Sequence, residues 1–251
     1  MPTAAPPSVR PAADPARGAA ADAVAPRDAL SVGIVVYRSD PVRLEACLAR
    51  LGEAARGAGL GTVELFVIDN GPADEAEAVQ RLVQACAERL VPCVATVIAG
   101  HGNVGYGRGH NLAIERSRAA VHLILNPDAE LEPDALRIGL GWLESRPEVV
   151  LVAASTFDGD GRPQPLVKTY PSVAVLAIRA LGLPFGERLR RDYDVVQQPG
   201  ECTDVTRALV SGSFMLCRSS ALRAVGGFDP GYFLYFEDFD LSLRLSALGN
   251  C

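Results

Sequence analysis

Two oxygen-bearing side chains, Asn126 and Asp128, follow an apolar run and are separated by a proline. Asn-Pro-Asp is typical of a tight turn, so both side chains are expected to leave the run close together. Carboxylate and amide oxygens suit a hard divalent cation such as Mg²⁺ or Mn²⁺, which can also hold two phosphate groups. The spacing therefore predicts a site for a divalent cation with a diphosphate. A β-turn without a ligand is the alternative interpretation.

A second acidic group, Glu237, Asp238 and Asp240, directly follows the aromatic stretch GYFLYF at 231–236. Apolar surroundings raise the pKa of a carboxyl group, and its carboxylate then becomes a better proton acceptor. This pattern indicates a general base that removes a proton from a hydroxyl group. Acids in this position also stabilise the N-terminus of a helix, which is the alternative interpretation.

A glycine-rich segment, GNVGYGRGHN at 102–111, lies between an apolar run and a helical pattern. Backbone amides and the helix dipole could face an anion there, since glycine lets the backbone approach a ligand closely. The glycine spacing matches neither a Walker loop nor the dinucleotide fingerprint. His101 and His110 are interpreted as loop and helix-face residues rather than metal ligands.

Tyr37 and Asp69 each stand at the end of an apolar run. A tyrosine ring can stack on a nucleobase, and a carboxylate can accept a hydrogen bond from a base N–H group. Taken alone, however, the two residues favour a tyrosine at the edge of the core and an aspartate that caps the next helix.

These side chains need a scaffold that brings strand ends together, and the wider pattern predicts one. Short apolar, β-rich runs alternate with helical patterns, which indicates βαβ units and a mostly parallel sheet. Ligands gather at the carboxyl ends of the strands in such sheets. The predicted strands lie at 30–37, 63–68, 93–98, 121–125 and 149–155. The predicted helices lie from Asp40-Pro41 to about 57–61, and at about 73–90, 107–119 and 133–145.

Beyond residue 156 the alternation of strands and helices stops. The pattern there predicts a loop at 158–165, a helix at 171–181, irregular structure at 183–203, a strand at 209–217, a short helix at 219–225, and a final helix at 237–248 after the aromatic loop.

Bulk properties exclude some classes of protein. The chain has 251 residues and a net charge of -6, which argues against a nucleic-acid binder, because such proteins carry basic patches. Its six cysteines form no Cys-x-x-Cys pair and are interpreted mainly as small apolar residues in a reducing compartment. Residues 1–27 are rich in Ala and Pro and predict a disordered tail. No apolar run reaches the ~20 residues of a membrane span, so a cytoplasmic location without a transmembrane segment is expected.

The ordered segments together resemble the family 2 glycosyltransferases, which have the GT-A fold, and within them the rhamnosyltransferase-like branch. The resemblance runs from about residue 30 to residue 248. It rests on five motifs in order: SVGIVVYRSD, VIDNGPAD, GNVGYGRGHNLAI, LILNPDAEL and VSGSFMLCRSSALRAVGGFDPGYFLYFEDFDLSLRL. The resemblance implies an α/β domain at 28–251, with a Rossmann-like nucleotide-sugar-binding half at 28–156 and an acceptor-side α+β half at 157–251.

The resemblance also implies a role for individual residues. Asp128 would bind the Mg²⁺ or Mn²⁺ ion, with one carboxylate where a full Asp-x-Asp motif has two, and Asp238 would be the catalytic base. The donor-binding residues would be Tyr37 and Asp69 at the nucleobase, and Asn103, Gly105, Gly109, Asn111 and Asn126 at the ribose and diphosphate. The acceptor-binding residues would be Ser211, Gly212, Phe233, Tyr235 and Glu237.

The implied reaction is an inverting transfer of a sugar from dTDP-rhamnose or a UDP-sugar to a glycan or glycolipid acceptor in cell-surface polysaccharide synthesis. Peripheral association with the inner face of the membrane is a further expectation. Family members usually continue past the final helix into a strand with a metal-binding histidine, whereas this sequence stops at Gly249-Asn250-Cys251. A catalytically inactive, nucleotide-sugar-binding remnant is therefore the alternative. A nucleotidyltransferase is disfavoured, because no Gly-rich, Lys/Arg-bearing phosphate loop follows the first strand.

Overall fold

The computed structural model describes residues 30–72, 76–158, 161–164, 167–168 and 209–251. Three predicted features lie wholly outside the described residues: the tail at 1–27, the helix at 171–181 and the irregular segment at 183–203.

A six-stranded sheet forms the centre of the described domain, with the strand order β3-β2-β1-β4-β10-β5. The remaining short strands form two separate pairs, β6 with β7 and β8 with β9. The strands are β1 Leu30–Val36, β2 Val63–Asp69, β3 Cys93–Ile98, β4 Val121–Leu125, β5 Leu151–Ala153, β6 Thr156–Phe157, β7 Pro163–Gln164, β8 Val167–Lys168, β9 Leu209–Val210 and β10 Phe214–Arg218.

The sheet is parallel except at one strand. Strands β3, β2, β1 and β4 pair in parallel, whereas β10 runs antiparallel to both of its neighbours, β4 and β5. Chain order reverses at β1, which lies between β2 and β4. A crevice at the carboxyl ends of the strands is expected at such a switch point.

Helices cover both faces of the sheet, and their apolar residues bury the strands. The helices are α1 Pro41–Gly57, α2 Ala76–Ala85, α3 Ala87–Leu90, α4 Tyr106–Arg116, α5 Ala135–Ser145, α6 Ser219–Ala224 and α7 Glu237–Ser246. One face packs in a single cluster with α1, α3 and α5. The other face packs against α4, α6 and α7, where Phe228 is fully buried. None of the described helices is both long and apolar enough to cross a bilayer.

Helix α1 begins where the sequence predicts it. The Asp40 carboxylate accepts a hydrogen bond of 2.9 Å from the Val42 amide, and Pro41 occupies the first turn. An N-cap acceptor satisfies an amide that has no partner within the helix, and proline is favoured at this position. Its apolar stripe, which includes Leu44, Leu48 and Leu51, is fully buried against the sheet. This packing fixes the first turn of α1 near the end of β1.

A short series of hydrogen-bonded polar side chains is buried under α4 among apolar residues. The Ser31 hydroxyl lies 2.6 Å from the Ser117 hydroxyl and 2.7 Å from Nδ1 of His122. Gly33 separates the two buried histidines, since a Cβ atom there would lie 3.0 Å from Nδ1 of His110 and 3.2 Å from Nε2 of His122. Burial holds the pKa of both imidazoles below the ordinary value, so both are neutral in the folded protein.

Three predicted elements need correction. The strand at 209–217 is broken by a turn at Ser211, Gly212 and Ser213, so that β9 and β10 belong to different sheets. The helix at 73–90 is divided at Cys86 into α2 and α3, and 73–75 lie outside the described residues. The strand at 149–155 shortens to β5, because its sheet pairing is limited to three residues of β10. The four parallel strands are confirmed to within one residue at each end.

Candidate active site

A cavity of about 780 Å³ opens at the carboxyl edge of the sheet, where β1 lies between β2 and β4. Its walls contain residues from the ends of these strands, the first turns of α1 and α4, and the aromatic loop. Six of the predicted site residues line it: Tyr37, Asn103, Gly105, Asn126, Asp128 and Phe233. The cavity also contains Val35, Ser39, Asp40, Arg43, Asn70, Tyr106, Pro127 and Leu234. Residues from all five sequence motifs therefore meet at one edge.

The turn after β4 presents Asp128 to this cavity. The Asn126 amide donates to the Ser213 carbonyl at 3.1 Å, which holds the start of the turn against the segment before β10. The Asp128 side chain is half exposed and lies 3.7 Å from the Arg43 guanidinium. A weak, exposed ion pair of this kind leaves the carboxylate oxygens accessible to a ligand.

Tyr37 and Asp69 lie at neighbouring strand ends but differ in exposure. Tyr37 is 48% exposed and lines the cavity, with the Arg38 guanidinium 5.7 Å from its ring centre. Asp69 is buried; its Oδ1 atom accepts a hydrogen bond of 2.8 Å from the Gly71 amide, and its Oδ2 atom has no hydrogen-bond partner in the described structure. Asp69 itself does not line the cavity, whereas the next residue, Asn70, does.

The glycine-rich loop is held by the protein itself. The Gly105 amide donates to the Asn103 side chain at 3.1 Å, and the Tyr106 amide donates to the Phe233 carbonyl at 3.3 Å. Gly105 has a φ of 90°, and a Cβ atom there would lie 2.3 Å from the Phe233 carbonyl oxygen. These two amides therefore already have acceptors within the protein. The expectation that backbone amides of this segment face an anion stays a prediction.

Two predicted donor-binding residues, Gly109 and Asn111, lie away from the cavity. A Cβ atom at Gly109 would lie 2.9 Å from the Val35 side chain, so this glycine permits α4 to pack on β1. The Asn111 side chain donates from Nδ2 to the Phe228 carbonyl and accepts at Oδ1 from the Phe228 N–H group, each at 2.8 Å. Both residues contact other parts of the protein and do not line the cavity, because their positions on α4 face the sheet and the segment before the aromatic loop.

The predicted base lies beside the turn between β9 and β10. Asp238 is half-buried; its Oδ2 atom accepts from the Gly212 amide and its Oδ1 atom from the Phe239 amide, each at 2.8 Å. Glu237 is 4% exposed, and burial raises the pKa of its carboxyl group, with the Asp238 charge adding to the effect. Neither acid lines the cavity. Ser211 and Gly212 are likewise outside its walls, although Gly212 contacts Asp238 directly.

The aromatic loop covers one side of the cavity. Phe233 and Leu234 line it, whereas Tyr235 is 73% exposed and does not. Tyr235 and Phe236 have φ values of 69° and 71°, a left-handed conformation that costs energy in residues with side chains. This conformation ends the loop and starts α7 at Glu237.

Among the cavity residues that were not predicted, Asn70, Arg43 and Tyr106 carry side chains with chemistry of their own. Asn70 donates to the Gly105 carbonyl at 3.0 Å and contacts His101 at 2.9 Å, so it joins the end of β2 to the glycine-rich loop. Arg43 lies on the first turn of α1, and Tyr106 on the first turn of α4. The available signals were the Asp69-Asn70 pair, the arginine just after the predicted start of the first helix, and the tyrosine just before the helix predicted from 107.

An α/β domain with a mostly parallel sheet, one reversed strand and a cavity at the β1–β4 switch point is typical of nucleotide-binding folds. The sequence model described as Glycosyl transferase family 2 matches residues 31–223. The chain belongs to this family and is a glycosyltransferase, which confirms the prediction made from its motifs.

Individual relatives agree with this assignment. The chain is 30% identical over 235 residues to the N-acetylglucosaminyl-diphospho-decaprenol L-rhamnosyltransferase of Mycobacterium tuberculosis, covering 88% of this chain and 72% of that protein. It is 31% identical over 162 residues to the rhamnosyltransferase WbbL of Escherichia coli, covering 59% of this chain and 56% of that protein. The predicted rhamnosyltransferase-like branch and the function in glycan synthesis are supported by these matches.

A solved structure supports the predicted GT-A fold. The mannosyltransferase PcManGT from Pyrobaculum calidifontis, in complex with GDP-Man and Mn²⁺, superimposes with a TM-score of 0.58 at 17% identity. The similarity covers 88% of this chain but 52% of that protein, so the chain spans about half the length of this structural relative.

Proposed function

We propose that this glycosyltransferase moves a hexose of the rhamnose type from a nucleotide-diphosphate donor to a glycan or lipid-linked acceptor. The observation that carries the proposal is the cavity at the β1–β4 switch point, which combines the Tyr37 ring with the Asn126 and Asp128 oxygens. An aromatic ring suits a nucleobase, and the charged end suits a diphosphate. The two rhamnosyltransferase relatives support the choice of sugar, and the decaprenol-linked substrate in one relative's name supports the choice of acceptor.

Donor binding would place the nucleobase near Tyr37 and the diphosphate near Arg43 and Asp128. Arg43 supplies positive charge within the cavity. Asn103 and Gly105 also line the cavity and would border the ribose. The Oδ2 atom of buried Asp69, which has no hydrogen-bond partner among the described residues, would accept a hydrogen bond from a base N–H group.

The residues present fit a divalent cation. The described residues contain no cluster of three or more His, Cys, Asp or Glu side chains that could hold a metal without help. Asp128 nevertheless offers accessible carboxylate oxygens beside the Asn126 amide, an all-oxygen set that Mg²⁺ or Mn²⁺ accepts together with phosphate oxygens. The ion, when bound, would stabilise the negative charge on the departing nucleoside diphosphate.

Asp238 is proposed as the catalytic base. Its carboxylate would take the proton of an acceptor hydroxyl, whose oxygen then forms the bond to the sugar C1 as the bond from C1 to the diphosphate breaks. Attack from the side opposite the leaving group inverts the anomeric carbon. The two backbone N–H groups that bind Asp238 fix the direction of the carboxylate before the acceptor arrives.

The test is a panel of nucleotide sugars, first in thermal shift with Mn²⁺ or with a chelator, and then in transfer assays on lipid-linked and free glycan acceptors. A deoxythymidine- or uridine-diphosphate sugar should raise the melting temperature in the presence of the cation. Transfer from that donor should stop when the cation is removed. Binding without any transfer would instead support the inactive, nucleotide-sugar-binding remnant. The cytoplasmic location and the peripheral membrane association stay predictions.

A further inference from the structure

Tyr106 lies between the turn at Asn126–Asp128 and the turn at Ser211–Ser213. Its side chain lines the cavity, and its hydroxyl lies 2.8 Å from the Gly212 carbonyl oxygen and 3.0 Å from Oδ1 of Asn126. A phenol carries one proton, so these two acceptors share it. The hydroxyl therefore contacts the turn that carries Asp128 and the turn that contacts Asp238.

Gly212 is the link from Tyr106 to the proposed base. Its carbonyl accepts from Tyr106, while its N–H group donates to Oδ2 of Asp238 at 2.8 Å. A Cβ atom at Gly212 would lie 3.0 Å from both Cε1 and the hydroxyl oxygen of Tyr106. The missing Cβ atom lets the phenol approach this closely, and a glycine turn needs outside contacts to fix its backbone. Tyr106 supplies one of these contacts.

The ring of Tyr106 is itself fixed by neighbouring rings. Its centre lies 4.5 Å from that of His110 and 6.1 Å from that of Phe228, in edge-to-face arrangements. Burial raises the pKa of the phenol well above its ordinary value, and the charges of Asp238, Glu237 and Asp128 raise it further. The two ring contacts therefore hold the hydroxyl at a fixed position.

We propose that Tyr106 is a positioning residue, whose hydroxyl sets the placement of Asp238 relative to the Asn126–Asp128 turn. The inference rests on the proposed function, since the two turns need a fixed separation only if one holds the donor and the other activates the acceptor. Phenylalanine would fill the same space between His110 and Phe228, so packing alone does not require the hydroxyl. The hydroxyl is the part of the residue that touches both turns.

The experiment compares Tyr106→Phe with Tyr232→Phe, which removes a hydroxyl from the exposed aromatic loop outside the cavity walls. For Tyr106→Phe, kcat should fall by about tenfold to a hundredfold, because small misplacement of a reacting group has effects of this size. The donor KM and the affinity for the nucleoside diphosphate should change by less than about threefold. Tyr232→Phe should match the wild type in both constants.

A second variant guards against a simple folding defect. Gly212→Ala retains the Tyr106 hydroxyl but pushes against the ring, so it should lower kcat in the same direction while the thermal midpoint and donor affinity report an intact fold. A wild-type kcat in Tyr106→Phe would overturn the positioning role and leave the proposed function standing. A loss expressed entirely in donor KM would also overturn it, since Tyr106 would then be a binding residue. Absence of transfer by the wild-type protein from every donor would overturn the proposed function, and the inference with it.

Discussion

Asp128 and Asp238 both follow turns at one edge of the molecule, but the protein holds their carboxylates differently. Asp128 is half exposed, lines the cavity and forms an ion pair at 3.7 Å with Arg43. Asp238 is half-buried, and both of its oxygens accept hydrogen bonds of 2.8 Å from backbone amides. Exposed ion pairs contribute about 0–1 kcal/mol, whereas hydrogen bonds to a charged group contribute roughly 1.5–3 kcal/mol each.

This difference suits two different tasks. A carboxylate that binds a cation, and through it a diphosphate, must exchange its partner, so a weak contact with an exposed arginine costs little to break. A carboxylate that removes a proton must already point at the substrate, so contacts with the rigid backbone serve it better. The comparison shows that the hydrogen-bond or ion-pair partner of a carboxylate, and not only its exposure, indicates whether the carboxylate suits cation binding or proton removal.

The largest effect, on the rate of transfer, is expected when Asp238 is changed. Asp238→Asn keeps the size of the side chain and one acceptor oxygen but removes the basic oxygen, so transfer should fall by ~10²–10⁴-fold while donor binding persists. Asp240→Asn is the matched control, because Asp240 lies in the same first turn of α7 and pairs with Arg244 at 2.7 Å. Initial rates and calorimetry would be measured for both variants. Retained transfer in Asp238→Asn would show that the residue only supports the helix and its neighbouring turn.

Changing the accessible acid should act on binding instead. Asp128→Ala should weaken the cation-dependent affinity for a nucleoside diphosphate by ~30-fold, since a charge-assisted contact is lost. Glu130→Gln serves as the control, because Glu130 is exposed and lies 3.7 Å from Arg50 outside the cavity. Titration calorimetry with and without Mn²⁺ measures both. Equal binding in the two conditions by the wild-type protein would reject Asp128 as a cation ligand.

A buried histidine in the sheet provides a third test, because it makes the stability of the fold depend on pH. Burial lowers the pKa of His122 from 6.5 to about 3. The folded state therefore favours neutral imidazole, whereas the unfolded chain binds a proton near pH 6.5. Stability from this group is complete above pH 6.5 and is lost as the pH falls towards 3, by about tenfold in the unfolding equilibrium per pH unit.

Urea unfolding between about pH 7.5 and pH 4.5 measures this loss. His122→Asn can still bond to Ser31, and its stability should fall less steeply with decreasing pH than that of the wild type. An identical slope in the two proteins would show that His122 does not cause the loss. Any change in transfer that follows the same slope would then report unfolding of the sheet rather than protonation of Asp238.

The smallest effect is expected at the partner of Asp128. Arg43→Gln should weaken nucleoside diphosphate binding by about threefold, because an exposed cation contributes little. It should strengthen binding of Mn²⁺ alone, because Asp128 loses a competing positive charge. Arg50→Gln, which breaks an ion pair of 2.9 Å with Glu53 on the same helix, should change neither affinity. A parallel loss of both affinities in Arg43→Gln would contradict the exchange of partners proposed here.

The parallel part of the fold was predictable because each of its strands is a short, mostly apolar and β-rich run. Strands β1 to β4 follow this rule, and their ends were located to within a residue. The break at Ser211–Ser213 was missed, because the run continues through Gly212 without a proline or a charged residue. The reversed direction of β10 was not predictable, since local sequence encodes that a strand forms but not which neighbour it meets.

The candidate site was predictable where residues lie at strand ends, because a parallel sheet gathers those ends. Tyr37, Asn126 and Asp128 meet in the cavity for this reason. Gly109 and Asn111 lie outside the cavity walls, because a motif on a helix presents its residues to several faces in turn. Tyr106 was missed, because an aromatic residue on a helix resembles a core residue until the contacts of its hydroxyl are known. The assigned roles themselves stay predictions until the variants are measured.

Strand β10 also determines when the sheet can be completed during folding. It lies between β4 and β5 and pairs with β4 at positions about ninety residues apart, such as Ile124 and Met215. Pairing over such a distance is slow, because loop entropy is lost before the contacts form. Until β10 arrives, β4 is an open apolar edge and β5 lacks the strand with which it pairs. We expect the chain to be most prone to aggregation in that interval. The parallel strands β1 to β4 are then already paired, whereas Asp238 still lacks its hydrogen bond from Gly212.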